Sequence, residues 1–147
     1  MKIFTKYHGE IDISQEDIWT FESGVPGFLE ETQFVILPLE QIDGFSVLQS
    51  TKTDELGFVV SDPFQFFADY DFTLSNSTVE LLSLKEEKNV KILSILTVKD
   101  PITETTANLQ APLILNTKNK KGKQVILNET DYKTKHFIFT TIQAVKG

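Results

Sequence analysis

Cysteine and arginine are both absent from this sequence of 147 residues. Without cysteine the chain has no disulfide framework, no thiolate metal ligand and no cysteine nucleophile, which fits a reducing compartment. Without arginine it has no planar cationic side chain for bidentate recognition of phosphate or guanine. No apolar run reaches the roughly 18 residues of a membrane span, and residues 1–10 lack the continuous apolar core of a signal peptide. We therefore expect a cytoplasmic protein that has no membrane contact.

Catalytic motifs are also missing from the sequence. It contains no GxSxG turn and no glycine-rich phosphate loop, and neither His8 nor His136 has a second histidine at a metal-binding spacing. Asp69 and Asp71 form a closely spaced acidic pair that could act as acid and base or hold a hard cation, but such pairs are common on acidic surfaces. We expect no catalytic residue, no cofactor and no bound metal.

Two alternative functions stay open at this point. One is a carbohydrate-binding or hydrolytic β domain that uses paired carboxylates. Sugar sites commonly expose tryptophan or tyrosine platforms, and with one tryptophan and three tyrosines the composition gives this alternative little support. The other is a structural component that assembles into an oligomer through the edges of its sheets.

Negative charge is concentrated in the first half of the chain. Between residues 10 and 71 the single basic residue is Lys52. The same stretch contains fourteen acidic residues, which are Glu10, Asp12, Glu16, Asp17, Glu22, Glu30, Glu31, Glu40, Asp43, Asp54, Glu55, Asp62, Asp69 and Asp71. The whole chain has a net charge of -7. An anionic surface repels nucleic acid and favours a basic protein partner, although the same charge also suits solubility alone.

Short runs of aromatic and β-branched residues, interrupted about every 8 to 12 residues by Gly, Pro, Asn or Asp, indicate a β protein. The predicted strands are "KIFTKY", "IWTF", "QFVILPL", "GFSVLQS", "LGFVVS", "DFTLS", "NVKILSILTVK", "APLILNT", "KQVILN" and "HFIFTTI". Some are apolar on both faces, as expected where a sheet closes on itself. The sequence therefore predicts one mainly β domain over residues 1–147. We expect an antiparallel closed barrel-like or sandwich fold with one or two short helices.

Two short helices are predicted from capping signals. In the first, after the "LGFVVS" strand, Asp62 caps the N-terminus and Pro63 takes the first helical position. In the second, Ser77 and Glu80 have the spacing of a capping box. Neither helix is long enough to form a layer of its own.

Two turns are predicted from glycine and proline. The first lies in "ESGVPGFLEE", residues 22–31, called the acidic loop below, where Gly24, Pro26 and Gly27 suit a tight type II reversal. We expect Phe28, which follows, to enter the core. The acids around it, Glu22, Glu30 and Glu31, are predicted to be free for a partner-facing surface. The second turn is a lysine-rich hairpin loop in which Gly122 supplies the reversal.

Residues 62–72, called the aromatic segment below, combine rings with acids. Five rings fall within nine residues, at Phe64, Phe66, Phe67, Tyr70 and Phe72. If the segment forms a helical turn, the rings lie on two adjacent faces, and one face suffices for the core. The other face would then be an acid-ringed hot spot for a protein partner, although all five rings could instead pack into the interior. The predicted partner-binding residues are Asp62, Phe67, Asp69, Tyr70 and Asp71.

The order of three motif groups resembles that of a known family. They are "FESGVPGFLEETQFVIL", then "LQSTKTDELGFVVSDPFQFFADYDFTL", then "VKILSILTVKDPITETTANLQAPLILNTKNKKGKQVIL". Together, and in this order, they are similar to the FliW family of bacterial flagellar assembly factors over nearly the whole chain. None of these motifs is catalytic.

The resemblance implies a non-enzymatic regulator with two protein partners. Members of the family bind newly made flagellin in the cytoplasm and also bind CsrA, an RNA-binding translational repressor. When flagellin is secreted, the freed protein captures CsrA and relieves the repression of flagellin synthesis. A CsrA contact would take charge from Asp62, Asp69 and Asp71 and anchoring from Phe67 and Tyr70. We expect a monomer in the free state with no direct nucleic-acid contact.

Several alternatives within this interpretation stay open. RNA could be displaced by direct occupation of its site on CsrA or by repulsion from a neighbouring site. Flagellin ends are amphipathic helices, which suit an apolar groove. The exposed rings of the aromatic segment and the segment 107–113 are the candidates for this groove. For Asn108 and Pro112 the alternative is a purely structural role in a loop and a strand entry.

Overall fold

The computed structural model describes residues 1–139, and its main element is a nine-stranded sheet. The strands are β1 (Lys2–Phe4), β2 (Glu10–Asp12), β3 (Trp19–Thr20), β4 (Gln33–Pro38), β5 (Phe45–Ser50), β6 (Gly57–Ser61), β7 (Val90–Thr97), β8 (Thr106–Ala107), β9 (Leu113–Asn116), β10 (Lys121–Gln124) and β11 (His136–Phe137). One α-helix, α1 (Asn76–Leu81), and four 3-10 turns complete the fold. The 3-10 turns are Gln15–Asp17, Pro63–Gln65, Glu87–Asn89 and Ile102–Glu104.

The main sheet closes on itself. Its order is β11-β8-β7-β6-β5-β4-β3-β10-β9, and β9 pairs again with β7. Seven strands, from β7 through β6, β5, β4, β3 and β10 to β9, therefore form a ring, while β8 and β11 extend from its β7 side. The prediction of a mainly β, closed domain is confirmed. One pairing departs from the antiparallel expectation, because β3 and β10 run parallel.

The interior of the ring follows from strand alternation. Phe34, Leu48 and Val60 lie on neighbouring strands and are 0% exposed, and they belong to one cluster with residues from β3, β7 and β9. The alternate residues Val35 and Val59 point to the other face of the sheet and belong to separate clusters. One of these outer clusters lies under the β1–β2 hairpin, and the other lies under the aromatic segment. Both faces of the sheet are covered, and this explains why its strands have apolar residues on both faces.

Both predicted helices differ from the structure in detail. Asp62 does cap, since its carboxylate accepts a 2.9 Å hydrogen bond from the Phe64 N–H, but only a 3-10 turn over Pro63–Gln65 follows. Helix α1 forms, but Ser75 is its N-cap and accepts from the Thr78 N–H at 3.2 Å. The capping box at Ser77 is therefore wrong. Ser75 directly precedes the helix, and its hydroxyl accepts the bond from Thr78, whereas Ser77 lies inside the first turn and cannot be the N-cap.

Some predicted strands are also wrong or incomplete. The run "DFTLS" lies outside every strand, whereas β2 and β8 occur where no strand is predicted. In the run "HFIFTTI", His136–Phe137 forms a strand, Ile138 and Phe139 do not, and residues 140–142 lie outside the described range. None of the helices within residues 1–139 has the length and apolar character needed to cross a membrane.

The β9–β10 hairpin reverses two residues earlier than predicted. Lys120, with φ of 61°, takes the left-handed conformation, and Gly122 lies within β10. A Cβ at position 122 would stand 2.7 Å from both the Leu115 Cδ2 and the Phe21 Cζ. Gly122 is therefore required for close packing inside the ring rather than for the reversal.

Candidate partner-binding surface

The aromatic segment is a chain of tight turns that follows β6. After the cap at Asp62, the Phe67 N–H donates to the Pro63 carbonyl at 2.9 Å, and the Tyr70 N–H donates to the Phe67 carbonyl at 3.0 Å. These turns replace the predicted helix, so the rings do not separate into two helical faces. Their exposure is set by individual contacts instead.

Tyr70 lies in the interior and is 4% exposed. Its hydroxyl donates a 2.7 Å hydrogen bond to the Leu109 carbonyl, and its ring centroid lies 4.7 Å from that of Tyr132. Burial, with a smaller contribution from Tyr132, raises the pKa of Tyr70, so the hydroxyl stays a neutral donor. Tyr70 therefore fastens the aromatic segment to two distant parts of the chain, a contact that its spacing in the sequence does not reveal.

The outer side of the aromatic segment is formed by different residues. Asp69 and Asp71 are exposed, and Phe64, which is not among the predicted site residues, is 42% exposed. Phe67 is half-buried, with its ring centroid 6.0 Å from that of His136. The carboxylate of the half-buried Asp62 caps the turn. The segment therefore presents the exposed part of the Phe64 ring together with the carboxylates of Asp69 and Asp71.

A groove of about 590 Å³ adjoins the aromatic segment. One wall is residues 72–75 with Thr78, and the other is residues 125–130. Apolar side chains from both walls line it, including Phe72 and Ile126, and Ile126 is 56% exposed.

The segment 107–113 is structural in this fold. The Asn108 carboxamide oxygen accepts hydrogen bonds from the backbone N–H groups of Gln110 at 3.1 Å and Ala111 at 3.0 Å. Leu109 and Leu113 are buried. The Pro112 carbonyl accepts from the Val125 N–H at 3.0 Å, so the segment also anchors one wall of the groove.

The acidic loop is built on backbone geometry. Val25 to Phe28 form a turn closed by a 2.6 Å hydrogen bond from the Phe28 N–H to the Val25 carbonyl, with Pro26 second and Gly27 third at φ of 89°. These are the positions of a type II turn. Gly24, at φ of 69°, lies so close to the chain that a Cβ there would stand 2.6 Å from the Leu29 Cα.

Phe28 and Leu29 form an exposed apolar tip on this loop. Phe28 is 44% exposed and Leu29 is 70% exposed, so the prediction that Phe28 enters the core is wrong. The core space is already filled by Phe21 and Phe34, whose centroids lie 5.4 Å apart in an edge-on pair. The ring centroid of Phe28 lies 5.8 Å from that of Phe58, a partly buried residue that packs against the interior cluster. The sequence does carry a signal for exposure here, since two glutamates follow the tip directly without strand alternation.

The three glutamates of the acidic loop have different roles. Glu31 accepts hydrogen bonds of 2.5 Å from the hydroxyls of both Ser50 and Thr53, and these bonds lower the pKa of Glu31. Glu22 pairs with Lys121 at 3.1 Å. Glu30 is exposed. Of the acids expected to be free for a partner, two are therefore engaged within the fold.

The fourteen carboxylates of the first half occupy several surfaces rather than one. They lie on β2, the first 3-10 turn, the acidic loop, the turns on either side of β5, and the aromatic segment. Within residues 1–139, no three acidic or histidine side chains are grouped as a metal site. The acidic loop and the aromatic segment both carry partly exposed rings, as does the β1–β2 hairpin, where Phe4 pairs with Glu10 and is 55% exposed.

Known proteins match this chain over almost its whole length. The family described as FliW protein matches residues 2–138. The flagellar assembly factor FliW of Geobacillus kaustophilus (strain HTA426) is 54% identical over 139 residues, which cover 95% of this chain and 96% of that protein. Its counterpart in Bacillus subtilis (strain 168) is 51% identical over 136 residues, which cover 92% of this chain and 95% of that one.

The fold agrees with the sequence comparison. A crystal structure of the flagellar assembly factor FliW matches with a TM-score of 0.92 at 52% identity, covering 95% of this chain and 98% of that one. Sequence and architecture therefore agree over the ring, the acidic loop and the aromatic segment together. The chain belongs to the FliW family of flagellar assembly factors.

Proposed function

We propose that this flagellar assembly factor binds flagellin in the cytoplasm and, when flagellin is scarce, sequesters the translational repressor CsrA. When the protein exchanges flagellin for CsrA, the flagellin transcripts are released from repression, and no catalytic step is involved. The observation that carries the proposal is the near-complete match to the FliW family, in which this role is expected. The acidic surfaces support it, because an RNA-binding repressor must carry positive charge to hold phosphates.

The CsrA contact is assigned to the outer side of the aromatic segment. Asp69 and Asp71 are exposed in this segment, and so is part of the Phe64 ring. Carboxylates that surround an apolar anchor steer a cationic partner and fix its orientation, while the anchor supplies contact area. Tyr70 contributes by holding the segment in place rather than by touching the partner.

The electrostatic part of this contact is tested by salt. Binding of purified CsrA is measured by titration calorimetry from about 0.1 M to about 1 M salt, over which the Debye length falls from about 10 Å to about 3 Å. We expect the affinity to fall by at least about 10-fold. An affinity that is constant over this range would contradict the electrostatic account.

A charge-matched pair of variants tests the location. Asp69→Asn combined with Asp71→Asn removes two exposed charges from the aromatic segment. Glu87→Gln combined with Glu104→Gln removes two exposed charges from surfaces outside the acidic half. We expect weaker CsrA binding and a smaller salt dependence for the first pair only, and equal effects from both pairs would rule out this location.

Flagellin binding is assigned to the groove beside the aromatic segment. An amphipathic helix places its apolar face in a groove, and the walls that carry Phe72 and Ile126 suit such a face. Ile126→Asp should weaken flagellin binding because it puts a charge into the apolar wall. CsrA binding by the same variant then reports whether the two partners share a surface.

The partner switch itself is tested by a pull-down with purified CsrA and flagellin, alone and together. We expect each partner to be retained when offered alone and CsrA to be displaced as flagellin is added. Retention of neither partner would overturn the proposed function. Retention of both at full stoichiometry would preserve the two binding activities and overturn the switch.

A further inference from the structure

The tip of the acidic loop exposes two neighbouring apolar side chains. Leu29 is 70% exposed and Phe28 is 44% exposed, and the visible ring of Phe28 is supported from beneath by Phe58. Isolated apolar residues are common on protein surfaces, but a supported aromatic ring next to an exposed leucine forms a continuous apolar projection. Such a projection is the shape of an anchor that enters a depression on another molecule.

The backbone holds this projection in one conformation. The type II turn closes directly before Leu29, and Gly24 allows the chain to pass within contact distance of it. On the far side, Glu31 is fastened to the turn after β5 by its bonds to Ser50 and Thr53. A fixed loop loses little conformational entropy when it binds, so this construction favours binding.

Carboxylates lie on the acidic loop and on the turn beside it. Because Glu31 contacts Thr53, the turn of residues 51–56 lies beside the acidic loop. The two segments together carry five carboxylates, which are Glu22, Glu30, Glu31, Asp54 and Glu55. Three lysines stand against them. They are Lys52 within the two segments, Lys121, which pairs with Glu22 at 3.1 Å, and Lys6, which borders the same depression as Asp54 and Glu55, so carboxylates remain in excess. The apolar tip is therefore set in a negative field.

We propose that Phe28 and Leu29 form a docking anchor for a cationic protein surface, with an apolar depression rimmed by lysine or arginine as the complementary site. A second copy of this chain would bring like charges together, and nucleic acid or an anionic lipid surface would be repelled. The inference rests on the proposed function, in which the cationic partner is CsrA. It adds a second contact, on a different loop from the aromatic segment.

The test is a titration of the full chain with purified CsrA at low and high salt. Leu29→Ser removes apolar surface without changing charge, and Glu30→Gln removes one charge beside it. We expect Leu29→Ser to weaken binding by about 10-fold or more at both salt concentrations, since its loss is apolar. Glu30→Gln should weaken binding at low salt and have no effect at high salt.

Val98→Ser is the matched control, because Val98 is an apolar residue that is 42% exposed and lies after β7. It should bind CsrA like the wild type. Circular dichroism melting should find Leu29→Ser as stable as the wild type, because the side chain is largely exposed.

The possible failures are distinguishable. If the wild type binds CsrA and Leu29→Ser binds equally well, the anchor is overturned while the proposed function stands. If Leu29→Ser loses flagellin binding or self-association instead, the assignment to a cationic partner is overturned. If the wild type binds no CsrA at all, the proposed function fails, and the anchor fails with it.

Discussion

The acidic loop and the aromatic segment combine the same residue types but use their rings in opposite ways. In the acidic loop, glycines and a backbone-bonded turn fix the chain, so Phe28 and Leu29 are left at the surface. The aromatic segment also forms backbone-bonded turns, but the ring and hydroxyl of Tyr70 join it to the rest of the chain, so Tyr70 itself is buried. A segment that is held by its backbone can offer its side chains to a partner, whereas a segment held by side chains has fewer to offer.

The largest expected effect follows from Tyr70. Tyr70→Ala should destabilise the fold by about 3–5 kcal/mol, since it empties a buried aromatic site and frees the Leu109 carbonyl. Phe28→Ala should cost only about 1 kcal/mol because half the ring is already in water. Urea denaturation measures both. Equal losses for the two variants would remove the distinction between the regions.

Tyr70→Phe separates the hydroxyl from the ring. It keeps the packing and removes only the bond to Leu109, so we expect a loss of about 1–2 kcal/mol. It also serves as the control for binding studies, since a partner that needs Tyr70 only as a structural support should bind this variant almost normally. A large loss of CsrA affinity with unchanged stability would instead make the hydroxyl a direct contact.

The next effect tests the backbone of the acidic loop. Gly24→Ala combines a left-handed φ with a clash against the Leu29 backbone, and we expect a loss of about 2–3 kcal/mol. Gly27→Ala meets only the φ penalty, because no atom lies within 4 Å of its added Cβ, and we expect a loss of about 1 kcal/mol. Thermal melting distinguishes them, and a reversed order would contradict this account of the turn.

Glu31 links the acidic loop to the turn after β5, and its effect is smaller and dependent on pH. Its pKa is lowered in the folded state, so its contribution is complete above its unfolded pKa and is lost as the pH falls through the folded value. Glu31→Gln should cost about 1 kcal/mol near pH 7 and less at about pH 3. Urea denaturation at both pH values tests this, and a cost that does not depend on pH would exclude the carboxylate as its source.

The sequence predicts a closed β domain because apolar runs and strand alternation are local signals. Each strand can be recognised from its own residues, and strands that are apolar on both faces indicate closure. Prediction from the sequence fails where a contact between distant parts of the chain determines the role of a residue. Nothing near Tyr70 in the chain indicates Leu109 or Tyr132, and nothing near Gly122 indicates that Phe21 fills the space its side chain would need. The prediction that Phe28 enters the core is wrong because Phe21 and Phe34 already occupy that space.

The smallest expected effect concerns the histidine beside the aromatic segment. The His136 Nε2 accepts a 2.8 Å hydrogen bond from the Lys133 N–H, whereas the Nε2 of His8 faces the Pro38 carbonyl at 2.8 Å and must donate. Protonation of His136 therefore breaks its contact with Lys133. Burial, with a smaller contribution from Lys133, lowers the pKa of His136.

Because the charged form of His136 is disfavoured in the folded state, stability should decrease as the pH falls from about 7 through the unfolded value of about 6.5. His136→Gln keeps an acceptor near the Nε2 position but does not titrate, so it should flatten this part of the stability profile. The profile between about pH 5 and about pH 7.5 is measured by urea denaturation for both proteins. A profile that is equally steep in the variant would place the pH dependence elsewhere in the chain and would exclude the His136 contact as its source.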